Sequence, residues 1–249
     1  MMDKFIYNNS DIEKQFTHSK TEFNIDTFLS GVGKSLEEVI NLAKSKNDIS
    51  DLDFNNKSVA VVGNSGILMD SEYGSDIDSH NIVIRCNLAK IIGYEKHVGS
   101  KTSIRIVSGK SSLYAGKAHK DTFSGWDINF LSTLQNEHII FSSPRINHYV
   151  QSIVQHQNVK WAHYLTESFL NECQNFISDI PSVGLQAIVL ATQISSNIDL
   201  YGFNFFRDDW EKRHYFEEMK PYNVGHSFNT EQAFVEMLED KKIINKIYY

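Results

Sequence analysis

Cysteine is scarce in this chain: 249 residues contain two, Cys86 and Cys173. That excludes a small disulfide-stapled scaffold, and no Cys/His cluster shows zinc spacing. There are only three prolines, and no tract is biased in composition, which argues against long disordered linkers. No internal repeat is visible. No apolar run reaches the roughly 18 residues of a membrane-spanning helix. The opening MMDKFIYNNSDIEKQF lacks the apolar centre of a signal peptide. There is no G-x-G-x-x-G, which argues against a dinucleotide-binding turn.

What is present is ordinary for a globular protein: 41% hydrophobic and 22% charged residues. A chain of this length can bury a full α/β core, as one domain with one or two extra elements. The net charge of −7 is unevenly spread. Residues 81 to 120 hold eight basic side chains, Arg85, Lys90, Lys96, Lys101, Arg105, Lys110, Lys117 and Lys120, against one acid, Glu95. The stretch reads either as a solvated basic face or as a surface attracting an anionic donor or an anionic glycolipid membrane surface. Nucleic acid is not an expected partner, because the whole chain is acidic and no recognised module occurs.

Hydrophobic periodicity outlines the elements. Ser35 and Glu38 form a capping box before Leu36, Val39, Ile40 and Ala43, which share one helical face. Strands are expected at Val59 to Val62, Ile82 to Ile84, Ile104 to Val107, Ile139 to Phe141 and Ile198 to Tyr201. Helices are expected near Ile146 to Gln155, Thr166 to Phe176, Gly184 to Thr192 and Thr230 to Asp240. Residues 1 to 30 show no clear period, and residues 108 to 137 read as a lid or acceptor-side insertion. Alternating strands and helices imply a single Rossmann-like, doubly wound, mostly parallel α/β sheet with helices on both faces.

The first strand runs straight into Gly63-Asn64-Ser65-Gly66. Glycines there let the backbone turn sharply and approach a ligand closely. The second strand ends in Arg85-Cys86-Asn87. Two strand ends, each carrying an Asn, are placed to converge on one nucleotide.

Residues 57 to 107 resemble the large motif of the animal-type sialyltransferases, with G-N-S-G, Y-G-x-x-I-D-x-H-N, R-x-N-x-A and V-G-S-K-T in order. Pro181 to Leu185 with Asp199 to Phe203 resembles the small motif, and His214-Tyr215-Phe216-Glu217 the third. His226 followed by Glu231 resembles the last, H-x4-E. The resemblance covers residues 57 to 236. It implies the sialyltransferase variant of the GT-A-like fold. Residues 1–56 are then an N-terminal helical or irregular extension packed on the core, and residues 57–249 a CMP-sugar-binding catalytic domain.

The resemblance also assigns roles. Asn64, Ser65 and Asn87 would hold the CMP donor, where residue type alone also allows Asn64 a plain turn role. Ser182, Val183 and Gly184 open an apolar helix. On residues alone they are equally a simple cap or a seat for phosphate or ribose, and the family match favours the donor. Gly202 and Tyr215 complete the donor set, Tyr215 packing beside His214 or bonding an oxygen. His226 would be the catalytic base and His214 would stabilise the departing phosphate. Glu231 is a supporting residue that orients local structure or caps a helix starting at Thr230. His80 and Arg85 are further supports, His80 as a structural histidine that pins the motif. Tyr149, Trp126, Trp161 and Tyr164 offer stacking faces for an acceptor sugar, though core packing is the weightier role.

Asp76-Ile77-Asp78 spells D-x-D, a metal-binding pattern in other glycosyltransferases. Here it lies inside the longer motif, and a monophosphate leaving group has less need of a metal clamp. No metal and no cofactor are expected. The reaction implied is inverting: one displacement with a His base, without the paired carboxylates of retaining glycosidases. An alternative donor is CMP-Kdo or another CMP-ulosonic acid; a non-catalytic nucleotide-binding protein is the remaining alternative.

The family's disulfide positions are not filled: Val59-Ala60-Val61 and Ser195-Ser196 stand there. Together with the missing anchor this points to a cytoplasmic enzyme of microbial or viral type, peripheral at most to the inner membrane face.

Overall fold

The structure, a computed structural model, describes residues 2–18, 29–108, 134, 136–142, 149–150, 153–154, 159–177, 179–205, 214–216 and 226–247. The elements are α1 (Asn9–His18), α2 (Leu36–Lys46), β1 (Ser58–Val62), α3 (Gly74–Ser79), β2 (Ile82–Cys86), α4 (Glu95–Val98), β3 (Ile104–Ser108) and β4 (His138–Ser142). They continue with β5 (Trp161–Tyr164), α5 (Glu167–Ile177), α6 (Val183–Ile194), β6 (Asn197–Tyr201), α7 (Phe228–Asp240) and β7 (Asn245–Lys246). The seven strands follow the order β5-β4-β3-β2-β1-β6-β7. β1 runs parallel to both β2 and β6, β4 to β5, and β6 to β7. This is the expected doubly wound α/β class. No helix among the described residues is long and apolar enough to cross a membrane.

The chain divides into two compact units, residues 1–52 with 106–169 and residues 53–105 with 170–249. In the first unit, Ile12 and Phe16 of α1, Val39 and Ala43 of α2, Ile139 and Phe141 of β4 and Ala162 and Tyr164 of β5 share one apolar core. Ser35 starts α2 with the capping box read from sequence: the Glu38 N–H donates to Ser35 Oγ (3.2 Å) and the Ser35 N–H to Glu38 Oε2 (2.6 Å). Tyr149 is fully buried, stacks on Tyr164 at 5.2 Å and donates its hydroxyl to the Ala162 carbonyl (3.1 Å). Tyr149 and Tyr164 are therefore core residues. Trp161 stacks on His138 at 4.4 Å, and Trp126 lies outside the described residues.

A polar chain crosses this core. Asn47 Nδ2 donates to the Tyr7 carbonyl (2.9 Å), which turns its Oδ1 towards His163 Nδ1 (2.9 Å). His163 Nδ1 must then carry the hydrogen, so its Nε2 accepts from His138 Nδ1 at 3.0 Å. His138 Nε2 lies 3.0 Å from Asp51. Burial, more than the charge of His138, pushes the pKa of His163 down to about 3.

Sequence periodicity misses α1. Its ten residues carry only Ile12 and Phe16 as buried anchors, too short a pattern to show a period. The helix expected near 146–155 and the insertion expected over 108–137 fall largely outside the described residues.

In the second unit, β1 is buried along Val59 to Val62 and β2 along its whole length. α6 is buried at every residue from Leu185 to Ala191, as befits a helix that is apolar all round. β2 pairs with one edge of β1 and β6 with the other. Strand addition reverses at the β1–β6 pair, and in such sheets ligands bind beyond the carboxyl ends of the strands at that reversal.

Candidate active site

The carboxyl ends of β1 and β6 meet through two glycines. Beyond the Val62–Tyr201 pair, the Gly63 N–H donates to the Tyr201 carbonyl (2.8 Å) and the Ser65 N–H to the Gly202 carbonyl (3.3 Å). A Cβ on Gly63 would run into the Gly202 carbonyl oxygen, and one on Gly202, whose φ is +73°, into Leu68. Both positions need glycine, for closeness and for backbone shape.

That approach fixes Asn64. Its carbonyl accepts from the Tyr215 N–H (3.0 Å) and its Nδ2 donates to the Cys86 carbonyl at the end of β2 (3.3 Å). Its Oδ1 is shielded from solvent and has no hydrogen-bond partner among the described residues. Ser65 is buried and caps the short 3-10 turn Gly66–Asp70 by accepting from the Ile67 N–H (3.3 Å). Asn87 is held with φ +51°, and its carbonyl accepts from Arg105 Nη1 at 2.8 Å. The two Asn-bearing strand ends are thus tied together through Cys86.

The start of α6 joins the same place. Cys86 Sγ lies 3.8 Å from the Val183 carbonyl, and Ser182 caps α6 by accepting from the Leu185 N–H (3.1 Å). The helix's positive end is therefore directed at the strand ends. A Cβ on Gly184 would come within 3.1 Å of the Phe203 ring. Cys86 and Cys173 are both free and buried, and burial pushes both thiols up to about 12. Neither is a nucleophile near neutral pH.

Most of the large motif is scaffold. Asp78 accepts from the Ser100 N–H (2.8 Å), Ser100 Oγ (2.7 Å) and the Lys101 N–H (2.8 Å). Burial would raise its pKa, but the bonds from Lys101 and Ser100 outweigh burial and bring it below the usual carboxylate range. Gly99, at φ +72°, leaves room for that carboxylate. His80 meets the Asp76 carbonyl (3.0 Å) through Nδ1 and Asp199 of β6 (3.1 Å) through Nε2. It pins the motif to the neighbouring strand.

Arg85 and Arg105 correct the reading of the basic stretch. Both are fully buried. Arg85 donates to the Val98 carbonyl (2.7 Å), the Lys101 carbonyl (3.0 Å) and Thr102 Oγ1 (2.9 Å), which anchors the V-G-S-K-T loop to β2. Arg105 holds the carbonyls of Asn87 and Ala89. Neither belongs to a solvated face or an anion-attracting surface; each charge is spent on backbone carbonyls. In the sequence, Arg105 counts only among the eight basic residues of 81 to 120 and is given no site role. Its place at the second position of an apolar strand was the available signal, because a charge there needs internal partners.

The Tyr215 hydroxyl donates to the Lys90 carbonyl, and burial pushes its pKa up to about 12. The ring stacked on His214 is that of Phe216 (5.5 Å, 9° between planes), not Tyr215.

α7 begins at Phe228 with Ser227 at its N-cap position, not at Thr230. Glu231 does not cap its own helix. Buried at 1% exposure, its carboxylate accepts from the Ser182 N–H (2.7 Å) and Ser182 Oγ (2.6 Å). Burial raises its pKa despite the Ser182 bonds. His226 Nδ1 lies 2.9 Å from the Ile180 carbonyl. A carbonyl only accepts, so Nδ1 carries the hydrogen and the neutral ring presents a bare Nε2.

Fold and site thus define a Rossmann-like α/β protein with its polar motifs gathered at the sheet's switch point. A sequence profile of Glycosyltransferase family 29 (sialyltransferase) matches residues 5–243, and the chain belongs to that family. It is 32% identical over 166 residues to the mouse (Mus musculus) CMP-N-acetylneuraminate-beta-galactosamide-alpha-2,3-sialyltransferase 1, covering 64% of this chain and 48% of that protein. It is 28% identical over 206 residues to the Beta-1,6-galactosyltransferase GALT29A of Arabidopsis thaliana, covering 74% of this chain and 51% of that protein. The chain thus spans about half the length of these relatives. A solved structure of a mammalian sialyltransferase shares the fold, with a TM-score of 0.63 at 21% identity over 86% of this chain and 79% of that one.

Proposed function

We propose that this protein is an inverting sialyltransferase. It moves sialic acid from CMP-sialic acid to the hydroxyl of a galactose-terminated or other surface glycan. The observation that carries the reading is the His226 ring, whose Nδ1–H is given to the Ile180 carbonyl. The bare Nε2 takes the proton from the acceptor hydroxyl as that oxygen bonds the anomeric carbon. The bond from that carbon to the CMP phosphate breaks in the same displacement, and the phosphate leaves with the electron pair. His214 stabilises the charge developing there.

Asn64 and Asn87 hold the nucleotide. The unpartnered Asn64 Oδ1 accepts from an amino or hydroxyl group of CMP. Ser182, Val183 and Gly184 receive the phosphate or ribose at the positive end of α6. No metal ion takes part, because a monophosphate leaving group is neutralised by hydrogen bonds and the helix end. The enzyme works in the cytoplasm, on lipid-linked or surface saccharides at the inner membrane face.

A second reading keeps the site and changes the donor. The relative named as a beta-1,6-galactosyltransferase favours a nucleotide-activated galactose. The test is CMP release from CMP-sialic acid and CMP-Kdo, with nucleotide release from an activated galactose alongside, over a panel of galactose-terminated acceptors with EDTA present. Acceptor-stimulated release from CMP-sialic acid alone supports the proposal. Stimulated release only from another donor renames the enzyme, and abolition by EDTA defeats the metal-free mechanism.

A further inference from the structure

Residues 179–182 and the start of α7 are joined at three levels. Glu231 takes both donors of Ser182. His226 donates to the Ile180 carbonyl. Ser227 Oγ donates to Asp179 Oδ2. We propose that Asp179 and Ser227 form a latch that sets His226, with Asp179 a positioning residue for the general base. The inference rests on the role of His226 given above.

The register carries the argument. Asp179 precedes Ile180 and Ser227 follows His226, so the Asp179–Ser227 bond runs beside the His226–Ile180 bond as the outer of two rungs. Asp179 Oδ1 also accepts from the Ile180 N–H at 2.7 Å. Ile180 precedes Pro181, which restricts its backbone to extended conformations, so its carbonyl has little freedom of direction. The carboxylate, the extended residue and the hydroxyl together fix where the His226 ring can donate.

Ser227 supplies an independent sign. It occupies the N-cap position of α7, yet its side chain makes no cap hydrogen bond. Serine at that position ordinarily accepts from the helix's first turn. Here the hydroxyl is turned outward to Asp179. Such local departures from helix rules gather at functional positions.

Two carboxylates act on the His226 charge, Asp179 and Glu231. Glu231 is buried and committed to Ser182. The Ser227 hydroxyl, then the Ile180 N–H and the charge on His226 hold Asp179 below the usual carboxylate range.

The test uses the full chain in two measurements. Spectra of ¹⁵N-labelled histidine report which His226 nitrogen carries the hydrogen without any substrate; His226→Ala identifies the signal. The transfer assay reports kcat and KM. Ser227→Ala removes the rung and keeps the charge, Asp179→Asn keeps one acceptor oxygen for the Ile180 N–H, offers an amide N–H to the Ser227 oxygen and removes the charge, and Asp179→Ala removes both.

The expected result is a mixed tautomer in Ser227→Ala and Asp179→Ala, with kcat down about tenfold and donor KM little changed. Asp179→Asn keeps the tautomer and lowers kcat less than Asp179→Ala does. An unchanged tautomer and an unchanged kcat in Asp179→Ala would overturn the latch. A lowered Tm with neither change would make Asp179 structural only and overturn it equally. Full activity of His226→Ala is a separate outcome that defeats the base assignment, while the spectra still decide whether the latch sets the ring.

Discussion

The two compact units treat buried polarity in opposite ways. In the first, Asn47, His163 and His138 are bonded in series, with His138 Nε2 facing Asp51 at 3.0 Å but making no hydrogen bond among the described residues, and the Tyr149 hydroxyl meets the Ala162 carbonyl. In the second, polar groups are gripped from behind and offered at one place. Arg105 holds Asn87, Cys86 holds Asn64 and Glu231 holds Ser182, while the Asn64 Oδ1 stays unpartnered among the described residues. A polar series bonded through the interior specifies a core; side chains fixed from one side at a sheet's switch point are arranged for a ligand.

The comparison breaks most sharply at His226. His226→Ala should cut transfer about 10²- to 10⁴-fold and leave CMP affinity nearly unchanged, as calorimetry beside a CMP-release assay would show. Loss of CMP binding would instead make His226 part of the donor seat.

Gly63→Ala should be next. Its methyl would displace the Gly202 carbonyl, at a cost of about 1–3 kcal/mol in overpacking. A lower Tm together with weaker CMP binding is expected, because the same approach fixes Asn64. A drop in Tm alone would separate the glycine pair from the donor seat.

The first unit should answer to pH. Burial holds His163 at about 3, whereas an unfolded histidine titrates near about 6.5. Above that value both states are neutral and stability is level. As pH falls below it, the unfolded chain takes up a proton that the folded chain resists, so stability falls. Between pH 7.5 and 5 the loss is about 2 kcal/mol. Burial lowers His138 as well, against the pull of Asp51, and adds loss of the same sign. Urea midpoints measured across that range should fall with pH in the wild type and flatten in His163→Gln; a level wild-type curve would contradict a neutral, buried His163.

The smallest effect is expected for Asn64→Ala. It removes one amide from the donor seat and should weaken CMP about tenfold, with folding stability little changed. If Asn64 served only the turn, Tm would fall and CMP affinity would not.

Much of this was legible because local chemistry and the global fold agree. The Ser35 capping box, the apolar runs of β1 and β2 and the Gly63-to-Gly66 turn each announce a shape that short-range sterics dictate. Partners distant in sequence were not legible. Arg85 and Arg105 look like surface charges until the carbonyls of Val98, Lys101, Asn87 and Ala89 close around them. Glu231 looks like a first-turn acid until Ser182, 49 residues away, takes it. Asp78 looks like half of a metal motif until Ser100 and Lys101 fill its lone pairs. Side-chain-to-backbone bonds of this kind leave no periodic trace in the sequence.

The most direct test of the central claim is acceptor-stimulated CMP release from CMP-sialic acid, with EDTA present, by the wild type and His226→Ala side by side, with CMP affinity measured on both. The account predicts release by the wild type, near-complete loss in the variant and equal CMP binding. Equal release by both proteins, or no CMP binding by either, would contradict it.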